Sequence, residues 1–258
     1  MPATYDAFAD FYDLEYGHKE DDLPFYLDAA ARFGSPLLEI GAGTGRIALR
    51  LAEAGFEVWG LEHSARMLAI AGRKRAVKKL SSLHLIQGDM RRFDLGRRFP
   101  LCIVPFRAFL HNLSEDDQLS ALRNIRNHLN PGGILVMDLF VPLHHVLARD
   151  DWHEEIAPEE LSEPSAAVSI YSRVVHQPEL QRLIIHNTYR RPRRRPKTLK
   201  MTYRYIFRYE LELLLRMSGF TVTAVFGGFD EQPYDYHSGI MVCIARTGLE
   251  IPPSARSR

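Results

Sequence analysis

Cysteine is nearly absent. The chain has two, Cys102 and Cys243, and each lies inside an apolar run (residues 101–104 and 240–245). Two thiols so placed give no disulfide framework, and neither has a neighbour at metal-ligand spacing, so a cysteine zinc site is excluded too. Both read as small buried hydrophobes. An excess of charge is also lacking: 33 basic residues stand against 32 acidic ones, a formal net charge of +1. Without a global field, attraction to nucleic acid or to an anionic membrane has to come from a local patch. No stretch approaches the ~18 apolar residues that span a bilayer. The start, Met1-Pro2-Ala3-Thr4-Tyr5-Asp6, has neither the basic lead nor the apolar core of a secretion signal. A soluble, cytoplasmic protein with no membrane partner is expected, and no internal repeat is visible.

What is present fits a globular chain. Hydrophobic residues make up 46% and charged ones 25% of 258 positions, enough for one large α/β domain or a core carrying an insertion. Residues 4–16 interleave aromatics with acids, and Tyr5, Phe8, Phe11 and Tyr12 share one helical face, which predicts an amphipathic helix. A second helix is expected over 22–33, stopped by Gly34 and Pro36. From residue 36 strands and helices alternate. Strands are expected at 37–40, 56–61, 83–87, 101–105 and 134–139, with helices at 46–54, 65–79 and 116–129. Asn130-Pro131-Gly132-Gly133 reads as a turn. This rhythm predicts a doubly wound, mostly parallel sheet covered on both faces. It breaks between 141 and 207, where three strands (168–175, 180–189, 198–207) follow without helices, so an antiparallel β insertion is expected there. A helix at 208–217 and strands at 221–226 and 239–246 complete the core. The expected division is lid helices at 1–35, core at 36–140 and 208–247, insertion over the substrate cleft at 141–207, and a flexible tail at 248–258.

The first strand runs into Glu39-Ile40-Gly41-Ala42-Gly43-Thr44-Gly45-Arg46. Glycines here allow a tight turn and a close ligand approach, at the strand end where doubly wound sheets bind ligands. A dinucleotide fingerprint, G-x-G-x-x-G, needs its third glycine where the chain has Arg46, so a pyrophosphate ligand fits poorly. The second strand ends in Glu62, placed to accept both hydroxyls of a ribose. The third leads to Gly88-Asp89-Met90, where an acid can accept from an adenine amine and an apolar neighbour can cover the ring. Three consecutive strand ends thus point to an adenosine ligand.

With these residues the chain resembles the class I S-adenosylmethionine-dependent methyltransferases over about residues 5–246. The likeness extends to residues 105–113, to Leu129-Asn130-Pro131-Gly132-Gly133 and to Ser218-Gly219-Phe220. The resemblance implies a seven-stranded sheet of order 3-2-1-4-5-7-6 with strand seven antiparallel, and S-adenosyl-L-methionine as cofactor. It implies that Glu39, Gly41, Ala42 and Gly43 line the methionine moiety, Glu62 holds the ribose, and Asp89 and Met90 hold the adenine. Pro105 would lie under the sulfonium, while Tyr12 closes over the cofactor, whose carboxylate Arg46 can pair. His63 and Met67, just after Glu62, are counted with the same group. Nucleic-acid amino-methyltransferases carry an Asn/Asp-Pro-Pro-Tyr/Phe motif where this chain has Val104-Pro105-Phe106-Arg107. Cytosine C5 enzymes need a Pro-Cys nucleophile, and here Cys102 precedes Pro105.

Methyl transfer from a sulfonium needs orientation and dryness more than a catalytic signature. His111 is the candidate general base, the alternative being a structural hydrogen-bond donor. Arg107 is the candidate anchor for an acidic group on the acceptor, the alternative being pairing with Glu115 or Asp116. Tyr236 and His237 precede the last strand, either reaching the cleft or lying in a solvated loop. His144-His145 point apart as neighbours do and give no metal pair. Tyr171, Arg173, Tyr189, Tyr203, Arg204 and Tyr205 in the insertion are candidates for substrate selection. The run Arg190-Arg191-Pro192-Arg193-Arg194-Arg195-Pro196-Lys197 reads as a solvated hairpin tip, with phosphate gripping as its alternative. The leading expectation is methyl transfer to N or O of a small-molecule acceptor. The alternatives are an RNA or protein methyltransferase using that run, and a non-catalytic S-adenosylmethionine sensor. A nicotinamide oxidoreductase stands further off.

Overall fold

A computed structural model of the chain describes residues 3–156, 168–235 and 237–248. Tyr236 and the tail beyond 248 lie outside the described residues, as do the side chains of His144 and His145. Two helices come first, α1 (Ala3–Tyr16) and α2 (Leu23–Phe33). The alternating part then runs β1 (Leu37–Ile40), α3 (Arg46–Glu53), β2 (Val58–Glu62), α4 (Ala65–Lys78), β3 (Leu83–Gln87), β4 (Phe99–Val104), α5 (Glu115–Asn127) and β5 (Leu129–Phe140). After the short α6 (His144–Leu147) come β6 (Asp151–Ile156), β7 (Ser169–Gln177), β8 (Arg182–Arg190) and β9 (Lys197–Arg204). The chain returns through α7 (Arg208–Met217), β10 (Phe220–Phe226) and β11 (Ile240–Thr247).

The main sheet has the order β3-β2-β1-β4-β5-β11-β10. β1 to β5 run parallel, and β11 is antiparallel to both β5 and β10. This is the strand order and the antiparallel placement the resemblance implied. β1 is buried at all four positions, as a strand covered by helices on both faces should be. Leu38, Cys102, Val104 and Met137 pack on one side, Leu37, Leu101, Ile103 and Val136 on the other. Parallel pairing brings the carboxyl ends of β1 to β5 to one edge. Helix starts are fixed locally: Ser64 caps α4 by accepting from Met67 N, and Ser114 caps α5 by accepting from Asp117 N. Among the described residues no helix is long and apolar enough to cross a membrane.

The turn expected at 130–133 is absorbed into β5. Phe99 pairs with Leu129 but Leu101 with Ile134, so those four residues bulge out of the ladder, with Gly132 at φ 74°. The insertion is a separate four-stranded antiparallel sheet, β6-β7-β8-β9, rather than the expected three strands. The missed strand, Asp151-Trp152-His153-Glu154-Glu155-Ile156, is an edge strand rich in charge, which conceals a β pattern.

α1 bridges the two sheets. Its aromatic face carries Phe8 and Phe11 into a cluster with Ile170, Tyr189, Leu199 and Met201 of the insertion. Its acids reach the core: Asp6 accepts from Ser64 Oγ (2.5 Å) and Arg66 N (3.1 Å), Asp10 pairs with Arg66 (2.7 Å), and Asp13 takes Thr44 Oγ1 (2.6 Å) and Lys74 (2.7 Å).

Candidate active site

The glycine loop is hooked onto the end of β2. Gly41 N and Ala42 N both donate to Leu61 O, at 2.8 and 3.0 Å. Gly41 has φ +74°, and a Cβ there would stand 2.7 Å from Ala108 Cβ. Gly43 N donates to Glu62 Oε2 (2.8 Å), and Ser64 N donates to Glu62 Oε1 (2.7 Å). Each oxygen of this buried carboxylate is aimed by one backbone N–H and keeps accepting capacity. Burial pushes the Glu62 carboxyl upward while the backbone N–H groups of Ser64, Gly43 and His63 hold it down. Glu39 is also buried, and its Oε2 meets no hydrogen-bond partner. Burial pushes its carboxyl up to about 8, against the pull of Arg46.

Arg46 is already engaged. Its guanidinium forks onto Asp22 (2.6 and 2.5 Å), reaches Lys19 O (2.9 Å) and lies 4.9 Å from the Phe106 ring. Its Nε is buried and without a partner. Asp89, after β3, is likewise occupied. It accepts from Arg91 N (3.0 Å) and from the Arg91 guanidinium (2.6–3.1 Å), which holds its carboxyl down at about 2. Met90 packs on the core, and its sulfur accepts from Asn112 Nδ2 at 3.1 Å. Met67 is buried beneath the loop, with its sulfur 4.0 Å from where a Gly43 Cβ would stand, whereas His63 is exposed.

β4 ends in Val104, followed by buried Pro105 and then by Phe106 and Arg107 at φ 53° and 64°. Two consecutive non-glycine residues in the left-handed region cost energy that the surroundings must offset. Asp138 of β5 does so in part, accepting from Phe106 N (2.7 Å) and from Tyr26 Oη (2.5 Å). Burial pushes that carboxyl up to about 6. Arg107 is exposed between the Phe106 and Phe140 rings, 5.4 and 5.6 Å from their centres. It does not pair with Glu115, which binds Arg204 (2.8 Å) instead. His111 follows in a short 3-10 turn, its ring 4.8 Å from Tyr5 and 4.5 Å from Tyr203. Nδ1 is 3.2 Å from Thr202 O, Nε2 contacts Tyr5 Oη, and burial holds the imidazole down at about 4.

Tyr12 closes the assembly from α1. Its Cζ is 3.9 Å from the place of a Gly43 Cβ, and its ring packs edge-on against Phe8 and Phe106 and tilted against Tyr16. Tyr12, Glu39, Gly41, Ala42, Gly43, Glu62, Met67 and Pro105 therefore converge. Asp89 and Met90 flank them at β3, and His111 and Arg107 at β4. Of the insertion residues singled out from the sequence, Tyr203 reaches this edge. Tyr171 and Arg173 face outward, Tyr189 binds Glu15, Arg204 ties down Glu115 and Glu210, and Tyr205 bonds His176. His237 is exposed in the turn before β11. Sequence reasoning did not reach Asp138, Asp22 or a site role for Tyr5, because no local pattern marks them.

Residues 37–133 match the family described as a methyltransferase domain. The chain is 34% identical over 137 residues to dTDP-3-amino-3,6-dideoxy-alpha-D-glucopyranose N,N-dimethyltransferase of Streptomyces fradiae, covering 50% of this chain and 52% of that protein. It is 33% identical over 138 residues to glycine/sarcosine N-methyltransferase of Halorhodospira halochloris, covering 52% and 50%. The chain thus spans about half the length of the curated relatives it matches. Among solved structures, the CcbJ methyltransferase from Streptomyces caelestis superposes with a TM-score of 0.85 at 26% identity, over 95% of this chain and 98% of that one. The strand order, the glycine loop and these likenesses together give the chain the fold of the class I S-adenosylmethionine-dependent methyltransferases, with a methyltransferase domain matched over residues 37–133.

Proposed function

We propose that the protein transfers a methyl group from S-adenosylmethionine to the nitrogen of a small-molecule amine. The observation that carries this reading is the pair of buried carboxylates at the edge of the sheet. Glu62 is aimed by Gly43 N and Ser64 N, and Glu39 has an oxygen without a partner. A buried, unpaired carboxylate oxygen is costly, and a ligand ammonium is the group that offsets it. The residues present fit S-adenosylmethionine. Glu62 accepts from the ribose hydroxyls, and Glu39 from the amine of the methionine moiety, which lies along Gly41, Ala42 and Gly43. Asp89 keeps accepting capacity beside Arg91 for an adenine amine, Met90 covers the ring, and His63 stands at the rim. Arg46 contributes its Nε to the carboxylate, while Tyr12, Met67 and Pro105 wall the sulfonium side.

The bound donor supplies an electrophilic methyl group. The chain supplies orientation and exclusion of water, the two effects such a displacement needs. Nitrogen is supported as the acceptor atom by the relatives, which are named as N-methyl and N,N-dimethyltransferases. Arg107, exposed and with no carboxylate partner among the described residues, suits an anionic group on that acceptor. A screen of small amines and matched alcohols with methyl-labelled donor tests the reading. Label in amines supports it; label confined to alcohols, or no binding of the donor in calorimetry, overturns it.

A further inference from the structure

His111 has no nitrogen to spare. Its Nδ1 faces the Thr202 carbonyl at 3.2 Å, and a carbonyl only accepts, so Nδ1 carries the ring proton. Nε2 is then a bare lone pair, and Tyr5 Oη lies against it, so the phenol donates. Tyr203 packs against the same imidazole at 4.5 Å, and its Oη donates to Met201 Sδ at 3.9 Å. The result is a directed chain: Tyr5 to His111, and His111 to the Thr202 carbonyl. Its members come from α1, from the turn after β4 and from β9, so it is complete only when the first helix is docked. A phenol oxygen that has donated its proton still has two lone pairs to accept with. On Tyr5 they belong to a hydroxyl close enough to Glu62 and Tyr12 for their charges to bear on it.

We propose that Tyr5 orients the acceptor: an Oη lone pair receives an N–H of the amine, and His111 is the positioning residue that fixes where that lone pair points. This rests on the methyl-transfer reading above. With one N–H held on Tyr5, the amine directs its own lone pair at the donor methyl. The nitrogen lone pair forms the new N–C bond as the C–S bond breaks, and the departing electron pair stays on sulfur. The product ammonium keeps its proton, shared with Tyr5 Oη, until the product leaves. No base is consumed. A hydroxyl acceptor would have to shed its proton during attack, and His111 could take one only by relay, as Tyr5 received the acceptor's proton and passed on its own; an amine needs no such transfer. The arrangement therefore suits nitrogen without a base, and it turns the histidine read from the sequence as a base into a support for the tyrosine.

Nitrogen-15 spectra of the imidazoles in the whole protein, with His111 assigned by its loss in His111→Asn, test the chain without any acceptor. The expected ring is neutral and protonated on Nδ1 from about pH 5 to 8. In Tyr5→Phe the Nε2 resonance moves toward that of a free lone pair while Nδ1 stays. A ring protonated on Nε2, or an Nε2 signal indifferent to Tyr5→Phe, overturns the proposal. On an amine found by the screen, Tyr5→Phe is expected to lower kcat about 10- to 100-fold, with donor affinity changed by less than about twofold. Adding His111→Ala to Tyr5→Phe is expected to cost nothing further, because both act through one hydrogen bond. Losses that multiply, or full kcat in Tyr5→Phe, overturn the assignment. Tyr203→Phe, which keeps the ring against His111 and leaves the Tyr5–His111 bond in place, is expected to lose less and guards against misfolding of the first variant. Donor binding by calorimetry separates the two readings: its absence in the unaltered protein removes methyl transfer itself, whereas its presence with a wrong tautomer removes only the role of Tyr5.

Discussion

The carboxylates that surround the crevice are held in two different ways. Glu39, Glu62 and Asp138 belong to strands of the parallel sheet, are buried, and have their carboxyls pushed up by that burial. Asp6, Asp10 and Asp13 belong to α1 and are matched one by one to donors at the edge of the core. The sheet carboxylates are expensive to keep in place and retain accepting capacity. The helix carboxylates are partnered, and exposed pairs of this kind contribute under about 1 kcal/mol each. The difference separates a receptor built into the sheet from a cover attached by replaceable contacts. Backbone N–H groups aim Glu62 and Asp138 within the first set, whereas side chains make most of the bonds of the second.

Removing a receptor carboxylate should have the largest effect. Glu62→Ala deletes the proposed ribose acceptor and strands Gly43 N and Ser64 N, each a buried donor. Affinity for S-adenosylmethionine is expected to fall on the order of 100-fold or more, about 3 kcal/mol. Calorimetry reads it directly, and unchanged affinity would mean that the ribose is held elsewhere.

Gly41→Ala acts on the same loop through shape alone. A side chain there is strained at φ +74° and meets Ala108 Cβ at 2.7 Å. A loss of about 2–4 kcal/mol in stability is expected, from backbone strain together with overpacking. A thermal melt without ligand checks it, and Gly55→Ala provides the contrast, since a Cβ there meets nothing within 4 Å and only its φ of +94° is against it.

The strand ends and the first helix were legible in the sequence, whereas the side-chain contacts that join them were not. Glu39, Gly41, Glu62 and Asp89 follow the chain in the order in which β1, β2 and β3 end, so one rhythm of strand and helix placed all four. The contacts that complete the site join distant segments: Tyr5 to His111, Tyr26 to Asp138, and Asp22 to Arg46. No period or motif connects such pairs. The Arg46 pairing was also hidden by chemistry, since an arginine beside a glycine loop suits a ligand carboxylate and an internal aspartate equally well. Likewise Asp89 was legible as an acceptor, but its grip by Arg91 depends on a turn geometry the residues alone do not dictate.

The cover also carries a buried carboxyl, and it gives a pH signature. Glu15 of α1 is buried, takes the Tyr189 hydroxyl, and has its carboxyl pushed by burial up to about 7. Asn187 and Tyr16 are the other polar groups facing it. A carboxyl raised in the docked state binds more protons docked than free, so docking weakens as pH rises from the ordinary glutamate range to about 7 and then levels off. Glu15→Gln removes this dependence. The variant is expected to be more stable than the parent at pH 8, by at most about 3 kcal/mol, and to match it near pH 4. Chemical denaturation at the two pH values measures the difference. A parent with flat stability across that window would show that α1 is not held through Glu15.

The arginine hairpin divides the cover once more, into ends that touch α1 and an exposed tip. Arg191 and Lys197 lie 4.8 and 5.2 Å from the Phe11 ring, which itself stacks on Tyr189 at 3.9 Å, and Lys197 also donates to Ala7 O. Arg193, Arg194 and Arg195 between them are exposed. Replacing these three with serine should change stability by less than about 0.5 kcal/mol and leave turnover on a small amine unaltered. Replacing Lys197 should loosen α1 by about 1 kcal/mol through its lost cation–π contact and hydrogen bond. Proteolysis within residues 3–16, followed with and without donor, distinguishes the two. Protection lost only with Lys197 places the function of the run at its ends, as a clasp for the first helix. Equal loss from the tip would give those three arginines a partner that the contacts within the chain do not supply.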